Sequence, residues 1–427
     1  MKTKQVLATL TGILLSASWL AGCAGDSPDN TDATDATTTD SPVGTVQGIS
    51  ATEVHIANSA ATSGAYATVG VPFLAGLEGY IEMVNQAGGI DGRQIVFTHT
   101  DDEFDPAKGS AALTEFVEDD KVFAIVGHFG TPVVAATIDQ LKEYGIPSVY
   151  FATGIGQLYA DHATTNAEGY NIFPVQPIYR VEGSLMVAYA TSTFAASKIG
   201  IIYTNDDAGM DLRTGAIEQI DKLDGVTYAE AQVPAGAADV SAAVTSIKNA
   251  EVDFIIVASI QQTMPTIVKE LAAQGVNKDC ITTYVNVSLS NSEAVIADIQ
   301  DKFDVYGLHW VDYASQIAQD TLVDYQAQVD AEYAMNPYAQ TGWIAGVFFT
   351  EGLRRLVGQE VTWESYMQAL EQAPIQNPFG GVIDYANGSR LGTQEMGLSR
   401  IVPVSDPWPA GWEVVEPLQS VDALLNH

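Results

Sequence analysis

From about residue 50 onward, short β-rich apolar runs alternate with longer stretches in which apolar residues recur every three to four positions. The runs fall at 54–57, 94–100, 122–126, 148–151, 199–203, 254–258 and 281–284. The helical pattern is clearest in the first intervening stretch. Phe73, Leu77, Ile81 and Val84 share one stripe there, Glu78 and Glu82 stand off it, and Gly88-Gly89 is the stop. Asp105-Pro106 and Thr131-Pro132 each place a capping side chain before a proline at the first helical position, and Thr263 and Thr362 begin further helices. Nearly continuous apolar strands that alternate with helices predict parallel sheets covered on both faces, an α/β fold. A body of about 380 residues exceeds what one doubly wound sheet takes, so two lobes are expected, with the first crossing in the helix-poor stretch 160–176.

The first residues follow a different pattern. Lys2 and Lys4 precede an apolar run at 6–20 that ends in Leu20-Ala21-Gly22-Cys23, the layout of a secretory signal peptide over 1–22. That run is shorter than the roughly 20 residues a bilayer-spanning helix needs. Leu-Ala-Gly-Cys resembles the lipobox of bacterial lipoproteins, which implies cleavage before Cys23 and lipid attachment to it. From there to residue 47 the chain is Asp, Thr, Ser, Pro and Gly with almost nothing apolar, so 23–47 is read as an acidic disordered tether. Cys280 is then left without a partner cysteine and is read as a buried small hydrophobe.

Composition narrows the function. The 427 residues are 47% hydrophobic and 17% charged, which excludes a disordered or fibrous chain. Eighteen Lys and Arg against 53 Asp and Glu give a net charge of −35, which repels phosphate backbones and argues against a nucleic-acid partner.

In an open parallel sheet a ligand sits outside the carboxyl ends of the strands. The loops expected there carry Ser63 and Tyr66 after the first strand; His128, Gly130 and Thr131 after the third; and Ala152, Thr153 and Gly154 after the fourth. In the second set they carry Asp206 and Asp207, then Gln261, then Asn286. These loops are small and rich in hydroxyls and amides, which suits close approach to a small ligand. Thr131, with the N–H groups opening its helix, suits a carboxylate. Gly-x-Ser-x-Gly, phosphate-loop and dinucleotide patterns are missing, as is any spacing of metal ligands. No catalytic residue, cofactor or metal is therefore assigned.

A resemblance adds to this. Residues 85–93 (Asn-Gln-Ala-Gly-Gly-Ile-Asp-Gly-Arg), 101–106 (Asp-Asp-Glu-Phe-Asp-Pro), 124–128 (Ala-Ile-Val-Gly-His) and 144–147 (Tyr-Gly-Ile-Pro) closely resemble the substrate-binding proteins of branched-chain amino acid ABC transporters. The likeness runs over about 48–402. It implies a type 1 periplasmic binding fold, two doubly wound Rossmann-like lobes joined by a three-segment hinge at 172–176, 307–311 and 380–383. The N-terminal lobe would combine 48–172 with 311–379, and the C-terminal lobe 176–307 with 380–427.

The resemblance further implies that Gly130-Thr131 and Ala152-Thr153-Gly154 hold a ligand carboxylate. In the second lobe, Ala208 stands where amino acid binders of this family place an aromatic residue, and Asn286 is nearest to where they place a glutamate. Either Asp206 or Asp207 then faces the ligand's ammonium, or the ligand has none, in which case Gln261 and Asn286 suit a small acid, amide or urea-like compound. Tyr66 is placed to stack on the ligand. The implied function is an exported, lipid-anchored, monomeric solute receptor that captures a small polar molecule, an amino acid or related carboxylate or amide, by lobe closure and delivers it to a membrane permease. Membrane contact would be through the anchor alone. A sensory module signalling through closure is the second reading, and an amide hydrolase using Asp206, Asp207 or His128 the third.

Overall fold

The computed structural model describes residues 47–165, 167–405 and 409–426. The expected signal peptide, Cys23 and the tether as far as residue 46 lie outside the described residues. Two sheets organise the rest. The first is built from β1 (Glu53–Ala60), β2 (Gln94–Asp101), β3 (Ala124–Phe129), β4 (Ser148–Ala152) and β5 (Ile172–Phe173), in the order β2-β1-β3-β4-β5 and parallel throughout. Helices α1 (Ala67–Gln86), α2 (Pro106–Thr114) and α3 (Thr131–Tyr144) connect its strands.

The chain then crosses to α4 (Tyr179–Ser192) and a second sheet. Its strands are β6 (Lys198–Thr204), β7 (Thr227–Val233), β8 (Phe254–Ala258), β9 (Cys280–Thr282) and β10 (Val305–His309), linked by α5 (Asp207–Ile220), α6 (Ser241–Asn249), α7 (Thr263–Ala273) and α8 (Leu289–Ile299). A second crossing leads back to α9 (Gln316–Gln328), α10 (Pro337–Arg355), α11 (Trp363–Glu371) and a small ribbon of β11 (Ile375–Gln376) with β12 (Val382–Ile383). The third crossing returns to β13 (Glu395–Ile401), β14 (Trp412–Ser420) and α12 (Val421–Leu425). These strands extend the second sheet to β14-β13-β10-β9-β8-β6-β7, the two added ones antiparallel.

The central strands β3 and β8 are buried at every residue, as parallel strands covered on both faces require. In each sheet the first strand, β1 or β6, is flanked on one side by its successor and on the other by the strand after that. Chain direction reverses at that point and opens a crevice at the carboxyl edge. The seven expected runs are all strands, except that the last ends at Thr282 and Tyr284 opens a 3₁₀ turn. β5, β7 and β10 to β14 lie outside those runs. β7 lies at a sheet edge with most of its side chains in water, and β14 is an edge strand interrupted by Pro417, so neither carries an apolar run.

Two sequence expectations need correction. The third crossing falls between Arg390 and Glu395, not at 380–383, where Val382 and Ile383 form β12. Arg390 is fully buried, its guanidinium 4.0 Å from the centre of the Phe173 ring and 2.7 Å from Glu371, and it holds the preceding segment on the first lobe. Thr393 then meets the first crossing through two bonds to the Val175 carbonyl. The second correction concerns α3, whose flanking residue is Gly130. At φ +92° Gly130 makes the turn, so Thr131 already lies in the first helical turn and does not cap it.

The later chain completes the first lobe. α10 lies against α1, where Gly76 and Gly342 allow backbone contact and Tyr80 packs edge-on against Trp343 at 5.0 Å. A Cβ added at Gly76 would stand 1.7 Å from the Ala339 carbonyl oxygen. In an open helix, Gly→Ala would add about 1 kcal/mol of stability. Here overpacking reverses the sign, and Gly76→Ala is expected to lose about 1–2 kcal/mol. A thermal midpoint raised by this substitution would refute the close-packing account.

Candidate ligand-binding site

The carboxyl edges of the two sheets face each other across a cavity of about 430 Å³. On the first-lobe side β3 runs into Gly130, and the absence of a side chain there makes room for Phe104, whose ring a Cβ would approach to 2.6 Å. Phe104 stacks on Tyr66 with centroids 3.7 Å apart and planes 14° off parallel. It is held in place by an unusual turn, since Glu103 and Phe104 both have positive φ. Buried Asp102 accepts the Phe104 N–H at 2.8 Å, and Asp101 accepts those of Thr62 and Glu103 at 3.0 Å. Burial pushes Asp102 up to about 6, although its bond to Phe104 acts the other way. Thr131 turns its hydroxyl to that of Thr153, 2.9 Å away.

The second-lobe wall is organised by buried amide and carboxyl groups. Asn286 donates to the Ser259 carbonyl (2.7 Å) and the Thr282 hydroxyl (2.8 Å) and accepts the Gln261 N–H (2.8 Å), which ties the loop after β8 to the loop after β9. Glu182, near the start of α4, is fully buried and accepts both the Thr283 hydroxyl and the Tyr284 N–H at 2.7 Å. Burial pushes it up to about 8. Tyr284 in turn donates to Gln176 of the first crossing at 2.8 Å, and Gln176 donates to Tyr150 of β4 at 2.7 Å. One chain of hydrogen bonds thus runs from second lobe through hinge to first lobe. Two more bonds join the lobes directly, from the Tyr338 hydroxyl to the Val285 carbonyl (3.0 Å) and from the Gly156 N–H to Asp211 of α5 (2.7 Å).

Of the residues expected at the site, Tyr66, Gly130, Thr131, Ala152 and Gln261 line the cavity. The others do not. Thr153 backs Thr131, and Gly154 is packed beneath Pro177 of the first crossing and Tyr179 at the start of α4. Asn286 spends its amide on protein partners. His128 is buried behind the wall, 2.8 Å from the Thr137 hydroxyl, and burial lowers it to about 4. Ser63 is exposed, with its N–H on Asp101 at 3.3 Å. Asp206 caps α5 by accepting the Gly209 N–H (2.9 Å) and the Thr204 hydroxyl (2.8 Å), and Asp207 is exposed beside it. The acids once considered for hydrolysis are therefore not assembled with His128.

Sequence reasoning missed the aromatic residues Tyr179, Tyr284, Trp310, Tyr313, Tyr338 and Trp412, all of which line the cavity. Tyr179 and Tyr284 lie nearly parallel at 6.1 Å, and Trp310 stands edge-on to Tyr284 at 6.1 Å. Tyr284 sits just before a loop already singled out, and that adjacency was the available signal. Trp310 and Trp412 come from the crossings and the added hairpin, which no local pattern brings to the cleft. Among the described residues, no group of His, Cys, Asp and Glu is arranged to hold a metal, and no helix is long and apolar enough to cross a membrane.

A family model for periplasmic binding proteins matches residues 53–405. The chain belongs to the periplasmic binding protein family. A Leu/Ile/Val-binding protein homolog 2 of Brucella abortus is 24% identical over 235 residues, covering 55% of this chain and 62% of that protein. The match thus spans less than two thirds of this curated relative. A fatty acid ABC transporter substrate-binding protein from Thermomonospora curvata superposes with a TM-score of 0.76 at 17% identity, covering 89% of this chain and 95% of that one. A branched chain amino acid ABC transporter protein from Thermus thermophilus with bound valine superposes at 0.74 and 16% identity, covering 88% and 99%. These likenesses show the two-lobed α/β fold, and the cleft between the lobes is where this member of the family carries its cavity.

Glu182 supplies a pH test of how the wall is held. Its folded-state pKa of about 8 lies above the ordinary 4.5, so the stability it contributes is fully present below about 4.5 and is lost as pH rises through about 8. Each unit of that difference carries about 1.4 kcal/mol. Glu182→Gln, which mimics the protonated acid, should gain thermal midpoint relative to the native chain as pH is raised from about 5 to about 8. Parallel midpoint curves would show that the carboxyl titrates in the folded wall as it does in the unfolded chain, with no upward shift.

Proposed function

We propose that this protein is an extracytoplasmic solute receptor of an ABC importer, anchored through a lipid on Cys23 and tethered by residues up to 47. It captures one small organic solute by closing two lobes and presents it to a membrane permease, acting as a monomer and without chemical change to the solute. The observation that carries this reading is the cavity itself, whose wall comes from the carboxyl edges of both sheets, from the first two crossings and from the β13–β14 hairpin. A ligand filling such a gap touches both lobes only when they are closed, and that difference in contact drives closure. Family membership supports an extracytoplasmic setting, and the ABC transporter names of the similar proteins support a permease partner. Their named ligands, a fatty acid in one and valine in another, leave the solute class to be settled by this chain's own wall.

A solute that raises the thermal midpoint should also reduce the radius of gyration in solution scattering and be recovered intact by mass spectrometry. Tyr338→Phe removes a bond between the lobes and should weaken that solute about five- to tenfold while leaving the fold intact. Binding with an unchanged scattering profile, or recovery of a cleaved product, would sink the receptor reading. The anchor has its own check. Metabolic labelling with a radioactive fatty acid should mark the full chain in a bacterial host, and Cys23→Ser should abolish the label.

A further inference from the structure

Resting on the receptor reading, the chemistry of the wall also specifies what the cleft accepts. Four of the aromatic residues around it have their polar atoms occupied by the protein. Tyr284 donates to Gln176, Tyr338 to the Val285 carbonyl, Tyr313 to Gln340, and the Trp412 indole to the Ser288 carbonyl. They therefore turn ring faces and edges to the cavity. Between them stand Val69, Ile260, Val287 and Val311, and the wall extends as far as Val414 and Leu418 of β14. A volume of about 430 Å³ falls in the range that encloses drug-sized molecules, well beyond one aliphatic amino acid.

Charge is almost missing from this wall. Among the described residues lining the cavity there is no lysine or arginine, and Asp312 is the one carboxylate. Asp312 is half-buried and turned back on its own loop, accepting the Ala314 N–H at 2.9 Å. Asp206 and Asp207 lie outside the lining, and Asp206 serves as the cap of α5. His309 lines the cavity paired with the Ser399 hydroxyl at 2.9 Å, and burial lowers it to about 4, so it is neutral at pH 7. A zwitterion needs a partner for each charge, and a buried charge without one costs several kcal/mol. Polar recognition remains available to uncharged groups, through the Gln261 amide and the Thr131 hydroxyl.

We infer that the cleft takes an uncharged organic solute with an extended apolar body, aryl or alkyl, that carries a hydrogen-bonding end, and that it rejects α-amino acids. The test is isothermal titration of the native protein with phenylbutanamide, phenylbutanoate, phenylbutylamine and L-leucine, with quenching of Trp310 and Trp412 fluorescence as a second readout. The amide should bind at least about tenfold more tightly than its anionic and cationic counterparts, and leucine should not bind. Ile260→Arg, checked for fold by circular dichroism, should shift the preference toward phenylbutanoate. If the variant does not fold, the native series decides alone. Tighter binding of leucine, the acid or the amine overturns the class while leaving the receptor reading standing. So does a folded Ile260→Arg with unaltered preference, or a wider metabolite screen that yields only charged ligands. A screen in which no solute binds overturns the receptor reading, and this inference with it.

Discussion

A parallel sheet delivers every strand to the same edge, and the loops that leave this edge must run back over a helix before the next strand can start. This protein does so twice and turns the two edges toward each other. The constraint follows from burial. Strands such as Phe254–Ala258 are apolar on both faces, so they can exist only with helices on both sides, and helices on both sides require crossovers that place all of the loops at the ends. The cavity is the gap left where two such ends meet. Nothing about it required a dedicated binding element.

The positions closest to the gap are held by groups that never reach it. Asn286, Glu182, Asp102 and Thr153 are buried and spend their hydrogen bonds on backbone or on neighbouring side chains. What they secure is the placement of Gln261, Tyr284, Phe104 and Thr131, which do line the cavity. Buried polar groups hydrogen-bonded in this way hold the loops they join in one geometry. They also explain why a cleft edged by so many polar residues in the sequence has a largely apolar interior, because the protein itself bonds many of those polar atoms.

Because the Tyr284–Gln176–Tyr150 chain passes through the first crossing, the wall and the hinge are mechanically one object. The third crossing is pinned by Thr393 on the Val175 carbonyl, and Tyr385 reaches the Pro174 carbonyl at 2.8 Å. The first and third crossings are thereby tied to each other, while Arg390 packs against Tyr170 and Phe173 of the first lobe. A hinge works through such short segments flanked by rigid packing.

Much of this was legible in the chain alone. Apolar runs of four to seven residues and the Asp105-Pro106 start, whose carboxylate does accept two N–H groups of α2, identify the alternation of strand and helix and hence the α/β class. The motifs at 85–93 and 101–106 pointed to the family. The loops at the strand ends identified Tyr66, Gly130, Thr131, Ala152 and Gln261, because a parallel sheet fixes which loops face the cleft. The edge strands, the third crossing and the aromatic wall escaped, for a shared reason. β7 and β14 are stabilised by a neighbour on one side and water on the other, Arg390 is buried only because Phe173, Tyr170 and Glu371 surround it, and Trp310, Tyr338 and Trp412 come from segments far apart in the chain. Local periodicity reports which face of an element is dry. Which side chains converge on one cavity, and whether Asp206 points into it or caps a helix, depends on contacts between distant segments that only the tertiary structure brings about.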